Sequence, residues 1–447
     1  MRLFLFKIII PLKILYIVLK YIIKRGIKLK TTRVKKFKVI TEFIDPKKLN
    51  RTPYDADYWV DGANVKESDI LFFLTNRQCK YLIWDGYTIG EVKKNFQDKK
   101  YELAILDNLS YSISSLRELF LIYIEFIRKI SELNACVFCR ILIKAWTDYL
   151  EFLPLFLNYS AKSFIYLTLP NGNTGVRFDD AIITGLCRKY GIKSYGCQTR
   201  TVYSKNFEYC FDCFDVYLSW GTAWDQVSKS KTLFINNSIT VGCIYLDYLL
   251  PFYKRYLNNK NNVPKETLTV SIFPSDISHK HHYTKNFTKT FLITCAELAA
   301  LFPNCKFIIK SKDPENTAIM MAEKDFHDAY CKVRHNFEFL DQARYNYADL
   351  LTSSDIVIAI GFTTPGIEGL LLGKKVICYS EWRCGGQAFK HLLDLVANNA
   401  DELKRLFDHA TDDYDDYSNI NSIALEQLDP FRDGEALSRI GRIMGTM

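Results

Sequence analysis

Short apolar runs recur through the second half of the chain and alternate with longer amphipathic stretches. The runs TVSIF (269–273), CKFIIK (305–310), DIVIAI (355–360) and VICY (376–379) are rich in β-branched residues and short enough to be buried parallel strands. TKNFTKTFLITCAELAALFP, which lies between the first two runs, has the spacing of an amphipathic helix. This alternation predicts an α/β domain built on a parallel sheet.

The first half of the chain shows the same alternation of short apolar runs and amphipathic stretches. SFIYLTLP, IKSYGCQ and FDVYLSWG predict strands within 163–221, with a helix over AIITGLCRKYG (181–191). Two earlier apolar runs end at Asp85 and Asp107, where helix capping is the favoured role. Residues 113–157 predict two packed helices, and the polar stretch 253–266 predicts a surface linker. We therefore expect two α/β domains, over 39–250 and 251–447, with the last helix able to cross back to the first domain.

The stretch 355–386 carries the clearest candidate chemistry. Between its two strands lies the loop GFTTPG, in which Thr364 is expected to cap a helix that begins at Pro365 and ends at Gly373. A helix N-terminus with hydroxyl side chains suits a phosphate group. Glu368 follows Thr364 by four residues and so shares its helix face, where it can accept hydrogen bonds from both ribose hydroxyls. The alternative is an ordinary helix start with Glu368 in solvent.

The N-terminal segment dominates the charge of the chain. The net charge is +9, but residues 1–50 hold 14 Lys or Arg and 2 Asp or Glu, so the body is close to neutral and a distributed nucleic-acid surface is not expected. Residues 1–30 are apolar but interrupted by lysines, and no small-residue cleavage site follows them. Both features argue against a cleaved signal peptide. Residues 1–38 predict an amphipathic membrane-association segment that lies on the cytoplasmic leaflet. A membrane-spanning helix over 3–23 is the alternative.

Cysteine and histidine patterns do not predict a metal site. The 13 cysteines are scattered through a long chain, which favours reduced thiols in the cytoplasm. The pairs Cys136/Cys139 and Cys210/Cys213 lie among apolar residues, where buried cysteine is favoured over a zinc site. The histidines at 279, 281 and 282 have no carboxylate or cysteine at ligand spacing, and we expect them in a lid that contacts phosphate or acceptor.

The unit at 355–386 resembles the donor site of GT-B glycosyltransferases, in the branch that makes bacterial capsular and other surface polysaccharides. Other motifs follow in that family's order: CKFIIKSKDP (305–314), VGCIYLDYL (241–249) with Gly242 and Asp247, and the tail LDPFRDGEALSRI (428–440). SIFPSDIS (271–278) is similar to the strand and loop of a polysaccharide-biosynthesis subgroup named for a Pro-Phe-Thr-Ser motif. The resemblance implies two Rossmann-like domains that face a cleft.

The resemblance also implies roles for individual residues. The donor site would comprise the residues Ser275, Lys310, Lys312, Gly361, Thr363, Thr364, Gly366 and Glu368. Lys312 and Asp313 stand where the family has histidine. On the acceptor side Arg177 matches a family arginine and Gln198 a family glutamine, but Thr199 and Arg200 replace the His-Gly that follows it. Asp179 is the candidate general base, and Asp180 is expected to cap the helix from Ala181.

The activity that the resemblance implies is transfer of a sugar from a nucleotide-activated donor to a glycan or lipid-linked glycan acceptor. Lysines and helix dipoles would stabilise the leaving group, so neither a metal nor any other cofactor is expected. The enzyme would work at the inner face of the cytoplasmic membrane. Three alternatives stay open: a nucleotide-sugar 2-epimerase, a polyol-phosphate transferase, and a non-catalytic subunit of a polysaccharide assembly complex.

Overall fold

Two larger parallel β-sheets organise the part of the chain that the computed structural model describes. The described residues are 16, 27–28, 35–36, 39–41, 80–83, 102–105, 111–112, 149, 153, 156, 159–160, 163–166, 179–198, 213–224, 234–260, 267–274, 285–311, 314–340, 347–380, 392–412 and 422–444. Several predicted features lie outside the described residues. They are most of the membrane-association segment, Asp85, Asp107, most of the helices at 113–157 and the three clustered histidines.

The N-terminal sheet has five parallel strands: β3 (Val39–Thr41), β8 (Ser163–Tyr166), β9 (Lys193–Cys197), β10 (Cys213–Ser219) and β11 (Phe234–Thr240). Across the sheet they lie in the order β11-β10-β9-β8-β3. Helix α1 (Asp179–Lys189) connects β8 to β9, and a 3-10 turn at Thr222–Trp224 follows β10. Three parallel pairs complete the described strands: β1 (Ile27–Lys28) with β6 (Tyr111–Ser112), β2 (Lys35–Lys36) with β7 (Tyr159–Ser160), and β4 (Lys80–Ile83) with β5 (Glu102–Ile105).

The C-terminal sheet has six parallel strands: β12 (Leu268–Phe273), β13 (Cys305–Ile309), β14 (Phe337–Phe339), β15 (Ile356–Ile360), β16 (Lys375–Tyr379) and β17 (Val396–Ala397). Across the sheet they lie in the order β14-β13-β12-β15-β16-β17. The helices are α2 (Leu246–Lys260), α3 (Lys285–Leu301), α4 (Pro314–Met321), α5 (Lys324–Val333), α6 (Tyr347–Ser353), α7 (Thr364–Leu371), α8 (Ala400–Asp412), α9 (Ser422–Leu428) and α10 (Ala436–Met444). Numbered within the sheet the order is 3-2-1-4-5-6, which is that of a Rossmann-type domain.

The strands of the C-terminal sheet are apolar along most of their length because they are buried. All five residues of β15 are buried, because a parallel sheet is covered by helices on both faces. Contacts between aromatic rings extend the core to the helices: the ring centroids of Phe307 and Phe407 lie 5.6 Å apart, and that of Phe302 lies 4.7 Å from that of Phe407. The predicted α/β class with parallel sheets is confirmed. Within the described part of the chain, no helix is long and apolar enough to cross a membrane.

The predicted linker at 253–266 is wrong over its first half, because α2 continues to Lys260. The helix includes Pro251, and its aromatic face is half-buried, which the polar residues around it concealed in the sequence. Tyr253 and Tyr256 of that face contact a buried cation: the Lys374 Nζ atom lies 4.6 Å and 5.1 Å from their ring centroids. This cation–π packing favours the helix over the expected turns.

The C-terminal tail packs against the segment that connects the two sheets. The Asp247 carboxylate accepts hydrogen bonds from the backbone N–H groups of Ala436 (3.0 Å) and Leu437 (2.8 Å), the first residues of α10. Asp429, which is 1% exposed, accepts a hydrogen bond from the Cys243 N–H at 2.8 Å. These contacts join two motifs that lie far apart in the sequence, and we refer to residues 241–247 with 429–439 as the clasp.

Candidate functional site

The candidate site lies at the carboxyl edge of the C-terminal sheet, where the strand order reverses. From β12 the chain proceeds outward through β13 and β14, and then returns to β15 on the other side of β12. Ligands of open α/β sheets bind in the crevice that this reversal creates. Phe273, Lys310 and Gly361 mark the carboxyl ends of three neighbouring strands at this point.

Gly361 turns the chain from β15 toward helix α7. Its φ of 55° lies in the left-handed region that favours glycine, and its N–H donates to the Tyr379 carbonyl at 2.8 Å. The predicted capping residue is wrong by one position: Thr363 is the N-cap, Thr364 is the first helical residue and Pro365 the second. Proline is tolerated there because the first N–H groups of a helix have no intrahelical acceptor.

The Thr363 hydroxyl is a buried polar group at the start of α7. Its Oγ1 atom is buried, does not cap the helix, and has no hydrogen-bond partner among the described residues. An unsatisfied buried hydroxyl costs free energy, which an acceptor atom from a ligand would recover. Thr363 and the N-terminus of α7 therefore suit an anionic oxygen.

Gly366, which the sequence placed in the donor site, faces the sheet. A Cβ atom at this position would lie 3.3 Å from the Ala359 Cβ atom and 3.7 Å from Val376 Cγ1. The space at Gly369, three residues later, is smaller: a Cβ atom added there would lie 3.1 Å from Val376 Cγ2. Both glycines let α7 approach the strands closely, which holds its N-terminus at the sheet edge.

Glu368 is fully buried, so the interpretation of a solvated side chain is wrong. Its Oε2 atom accepts a hydrogen bond from the Tyr347 hydroxyl, whose ring lies edge-on to Phe273 with centroids 5.6 Å apart. Burial, followed by the charge and the hydrogen bond of Glu368, raises the pKa of Tyr347. The phenol therefore keeps its proton and donates to a carboxylate that burial would otherwise penalise.

The same carboxylate borders the segment between the two sheets. Burial is the main cause that raises the pKa of the Cys243 thiol, and the charges of Glu368 and Asp429 add to it. Tyr245 lies near enough to contribute to the raised pKa of Tyr347. Helix α7 thus presents Glu368 to the residues through which the chain passes from one sheet to the other.

Lys310 is a buried cation at this edge. It directly follows β13, is 6% exposed, and its N–H donates to the Ile272 carbonyl at 2.9 Å. The next residue, Ser311, is also buried, and its hydroxyl accepts a hydrogen bond from Thr317 at 3.0 Å. Lys312 and Ser275 lie outside the described residues.

On the other sheet, Asp179 is the first residue of α1, which begins two residues before the predicted start. Asp180 therefore lies inside the helix, and its predicted capping role is wrong. Arg177 lies outside the described residues, and the assignment of Asp179 as the base stays a prediction. Gln198 is fully buried: its side-chain oxygen accepts a hydrogen bond from the backbone N–H of Trp220 at 2.9 Å, which joins the ends of β9 and β10.

No sequence pattern indicates the bond from Tyr347 to Glu368, which lies 21 positions away, or the approach of Asp429 to Cys243 across 186 positions. No group of three His, Cys, Asp or Glu residues that could hold a metal occurs in the described part of the chain.

The fold and this edge define an α/β protein with a Rossmann-type domain whose switch point combines a helix N-terminus, a buried lysine and a buried glutamate. Residues 194–407 match the family model described as polysaccharide biosynthesis PFTS motif protein, which confirms the predicted resemblance over that range. No curated protein matches the chain.

Several solved structures are distantly similar. The wall teichoic acid polymerase TagF is 11% identical, with 92% of this chain and 89% of that chain covered and a TM-score of 0.46. Sucrose-phosphate synthase from Thermosynechococcus elongatus is 10% identical, with 92% and 98% covered and a TM-score of 0.48. The UDP-GlcNAc 2-epimerase of Methanocaldococcus jannaschii, solved with UDP-GlcNAc and UDP, is 12% identical, with 92% and 100% covered and a TM-score of 0.47.

Proposed function

We propose that this protein is a glycosyltransferase that moves a sugar from a nucleotide-activated donor to a glycan or lipid-linked glycan acceptor in surface polysaccharide synthesis. The observation that carries the proposal is the start of α7 at the switch point, where the unsatisfied Thr363 hydroxyl lies five residues before the buried Glu368. The match to a polysaccharide-biosynthesis family supports the pathway class.

The donor would bind across the carboxyl edge of the C-terminal sheet. Thr363, Thr364 and the N-terminus of α7 would bind phosphate oxygens, while Glu368 would accept hydrogen bonds from the ribose. Lys310 and Lys312 would neutralise the diphosphate, and Ser275 and Gly361 would line the crevice. Each of these groups is of the type that a nucleoside diphosphate requires.

In the reaction, the acceptor hydroxyl attacks the anomeric carbon and the nucleoside diphosphate leaves with the bonding electrons. The negative charge that develops on the leaving phosphate would be stabilised by the lysines and the helix dipole, without a metal. Asp179 would take the proton of the acceptor hydroxyl, and Arg177 would keep that carboxylate ionised. The two domains would face each other in a GT-B arrangement, with residues 1–30 on the cytoplasmic face of the membrane.

A non-catalytic nucleotide-binding subunit is the second candidate. Thr199 and Arg200 stand where the family has His-Gly, and Lys312 and Asp313 stand where it has histidine. Such a subunit would keep the donor site and lack turnover.

Release of nucleoside diphosphate from a nucleotide-sugar, in the presence of a lipid-linked acceptor, tests the proposal. We expect turnover in the wild type and a fall of at least about 10²-fold in Asp179→Asn, with donor affinity unchanged. Donor binding without turnover in the wild type would favour the non-catalytic subunit, and full turnover in Asp179→Asn would remove the residue as the base.

A further inference from the structure

Residues 241–245 form the connection between the two sheets. The strands of the N-terminal sheet precede residue 241, and those of the C-terminal sheet follow residue 267. Val241 still belongs to the first sheet, because its N–H donates to the Ser219 carbonyl at the end of β10, at 2.8 Å. Helix α2 belongs to the second sheet, because it packs against α6. A rotation of one sheet relative to the other must therefore occur within the connection.

The backbone of the connection is held by side chains of the C-terminal tail on both sides of Gly242, whose φ of 94° favours glycine. The torsions φ and ψ of Gly242 join two peptide groups. Arg439 Nη1 donates to the Val241 carbonyl of the first group at 3.1 Å, and Asp429 Oδ2 accepts from the Cys243 N–H of the second at 2.8 Å. Neither torsion can change unless one of these bonds breaks or the tail moves.

The tail is itself fixed on both sides of the connection, so it cannot follow such a rotation freely. On the N-terminal side, Gly221 lies so close to the Gln427 and Leu428 carbonyl oxygens that an added Cβ atom would overlap them. On the C-terminal side, Asp247 of α2 accepts the N–H groups at the start of α10, and α9 packs against α7.

The two tail side chains that bind the connection are held in place by further contacts. Asp429 Oδ1 accepts hydrogen bonds from the N–H groups of Phe431 at 2.9 Å and Arg432 at 3.1 Å. The Arg439 guanidinium lies 3.7 Å from the ring centroid of Phe431 and forms an ion pair with Asp433. These charge-assisted and cation–π contacts fix the direction of the bonds to the connection.

We propose that Asp429 and Arg439 are positioning residues, which fix the torsions of Gly242 and thereby the orientation of the two sheets. Domains that share one chain move relative to each other unless contacts between them prevent it. The clasp supplies such contacts at the point where the chain passes from one sheet to the other. This inference concerns the arrangement of the sheets and holds for any ligand that binds between or beside them.

Pulsed electron paramagnetic resonance on the full-length chain tests the inference through the distance between two nitroxide labels. The labels are attached to azide-bearing amino acids at positions 185 in α1 and 301 in α3, which leaves every cysteine unchanged. An added Cβ atom at Gly185 meets no atom within 4 Å, and Leu301 is 55% exposed. We expect a narrow distance distribution in the wild type and one about twofold wider in a folded Arg439→Met variant. Arg442→Met is the matched control, because Arg442 is an exposed residue of the same helix that donates to Ser438, and should leave the width unchanged.

A second variant removes the other bond to the connection. Asp429→Asn loses the charge that strengthens the bond to the Cys243 N–H, so it should also widen the distribution. An unchanged width in both folded variants, or an equal widening in Arg442→Met, would overturn the inference. If neither Asp429→Asn nor Arg439→Met folds, the two residues act on stability alone and the inference is likewise overturned.

Turnover gives a readout that depends on the proposed function. Because a small misalignment of donor and acceptor slows the reaction, Arg439→Met should lower kcat about tenfold or more and leave the KM for the donor unchanged. A rise in that KM with kcat unchanged would contradict a positioning role. A wild type without turnover would contradict the proposed function, and the distance measurement would still decide the inference.

Discussion

At the residue scale, the site is defined by polar groups that the fold buries. Thr363 offers a hydroxyl without a partner in the described structure, whereas Glu368 has Tyr347 as a donor. A protein retains a buried unsatisfied hydroxyl at a cost, and replacing it with an apolar group of the same shape is close to neutral or stabilising. A binding role for Thr363 therefore predicts that stability and affinity change independently.

Thr363→Val tests this separation. Because valine has the shape of threonine without the hydroxyl, we expect the free energy of unfolding to stay within about 1 kcal/mol of the wild type or to rise. The affinity for the donor nucleotide should fall about tenfold, from loss of a charge-assisted hydrogen bond. Denaturant unfolding and calorimetry measure the two effects. Ser271→Ala, which removes another unsatisfied hydroxyl within β12, should leave affinity unchanged; equal affinity in Thr363→Val would remove Thr363 from the site.

The sequence could predict Glu368 and Thr363 as site residues because their positions follow from the spacing along one helix. It could not predict Tyr347, since no periodicity links that residue to Glu368, and it misplaced the cap by one residue because Thr363 and Thr364 are chemically identical. Burial of Glu368 also escaped the sequence, because it depends on elements that only the folded chain brings together.

At the element scale, the position of α7 depends on its contact with β15 and β16. At Gly369 an added Cβ would lie 3.1 Å from Val376 and 3.3 Å from Val357, inside two strands that are themselves buried. A larger residue would push the helix, and with it the N-terminus that is proposed to bind phosphate, away from the sheet.

Gly369→Ala should therefore lower the free energy of unfolding by about 1–3 kcal/mol, despite the better helix propensity of alanine. Gly185→Ala is the control: it lies in α1 with no atom within 4 Å of the added Cβ, so it should stabilise by about 0.4–1 kcal/mol. Denaturant unfolding of both variants measures the difference. A stabilised Gly369→Ala would contradict the close packing.

The strands were predictable at this scale because a buried parallel strand is apolar along its whole length. Helix α2 was not, because asparagine and lysine residues near its end resemble a loop. Its continuation depends on Tyr253 and Tyr256 contacting Lys374, which comes from the far side of the sequence.

At the scale of the whole molecule, the clasp joins the start of α10 to the segment that follows β11. Among the carboxyl groups of the clasp, Asp247 has a pKa that is raised above its ordinary value. Burial, with smaller effects from the charges of Glu435 and Asp433, raises the pKa of Asp247 to about 6, although two backbone N–H bonds oppose the shift. A carboxyl group in the unfolded chain titrates near 3.8.

Between about pH 4 and pH 6 the folded state therefore holds a proton that the unfolded state releases. The contribution of Asp247 to the free energy of unfolding is largest below this window and falls as the pH rises through it. Asp247→Asn cannot titrate, so its stability relative to the wild type should increase from pH 4 to pH 7. Denaturant unfolding at both values measures the change; a constant or decreasing difference would contradict the raised pKa. No sequence pattern predicts this contact, which spans 189 positions.

The donor site that we propose at the switch point of the C-terminal sheet would bind a nucleotide-activated sugar. Thermal unfolding of the full-length protein with UDP-, GDP-, CMP- and dTDP-sugars tests this binding, because a ligand that binds only the folded state must raise the Tm. We expect a clear rise in Tm with at least one of these donors, and a much smaller rise in a folded Glu368→Ala variant. No rise with any donor, or an equal rise in Glu368→Ala, would show that this site does not bind the donor.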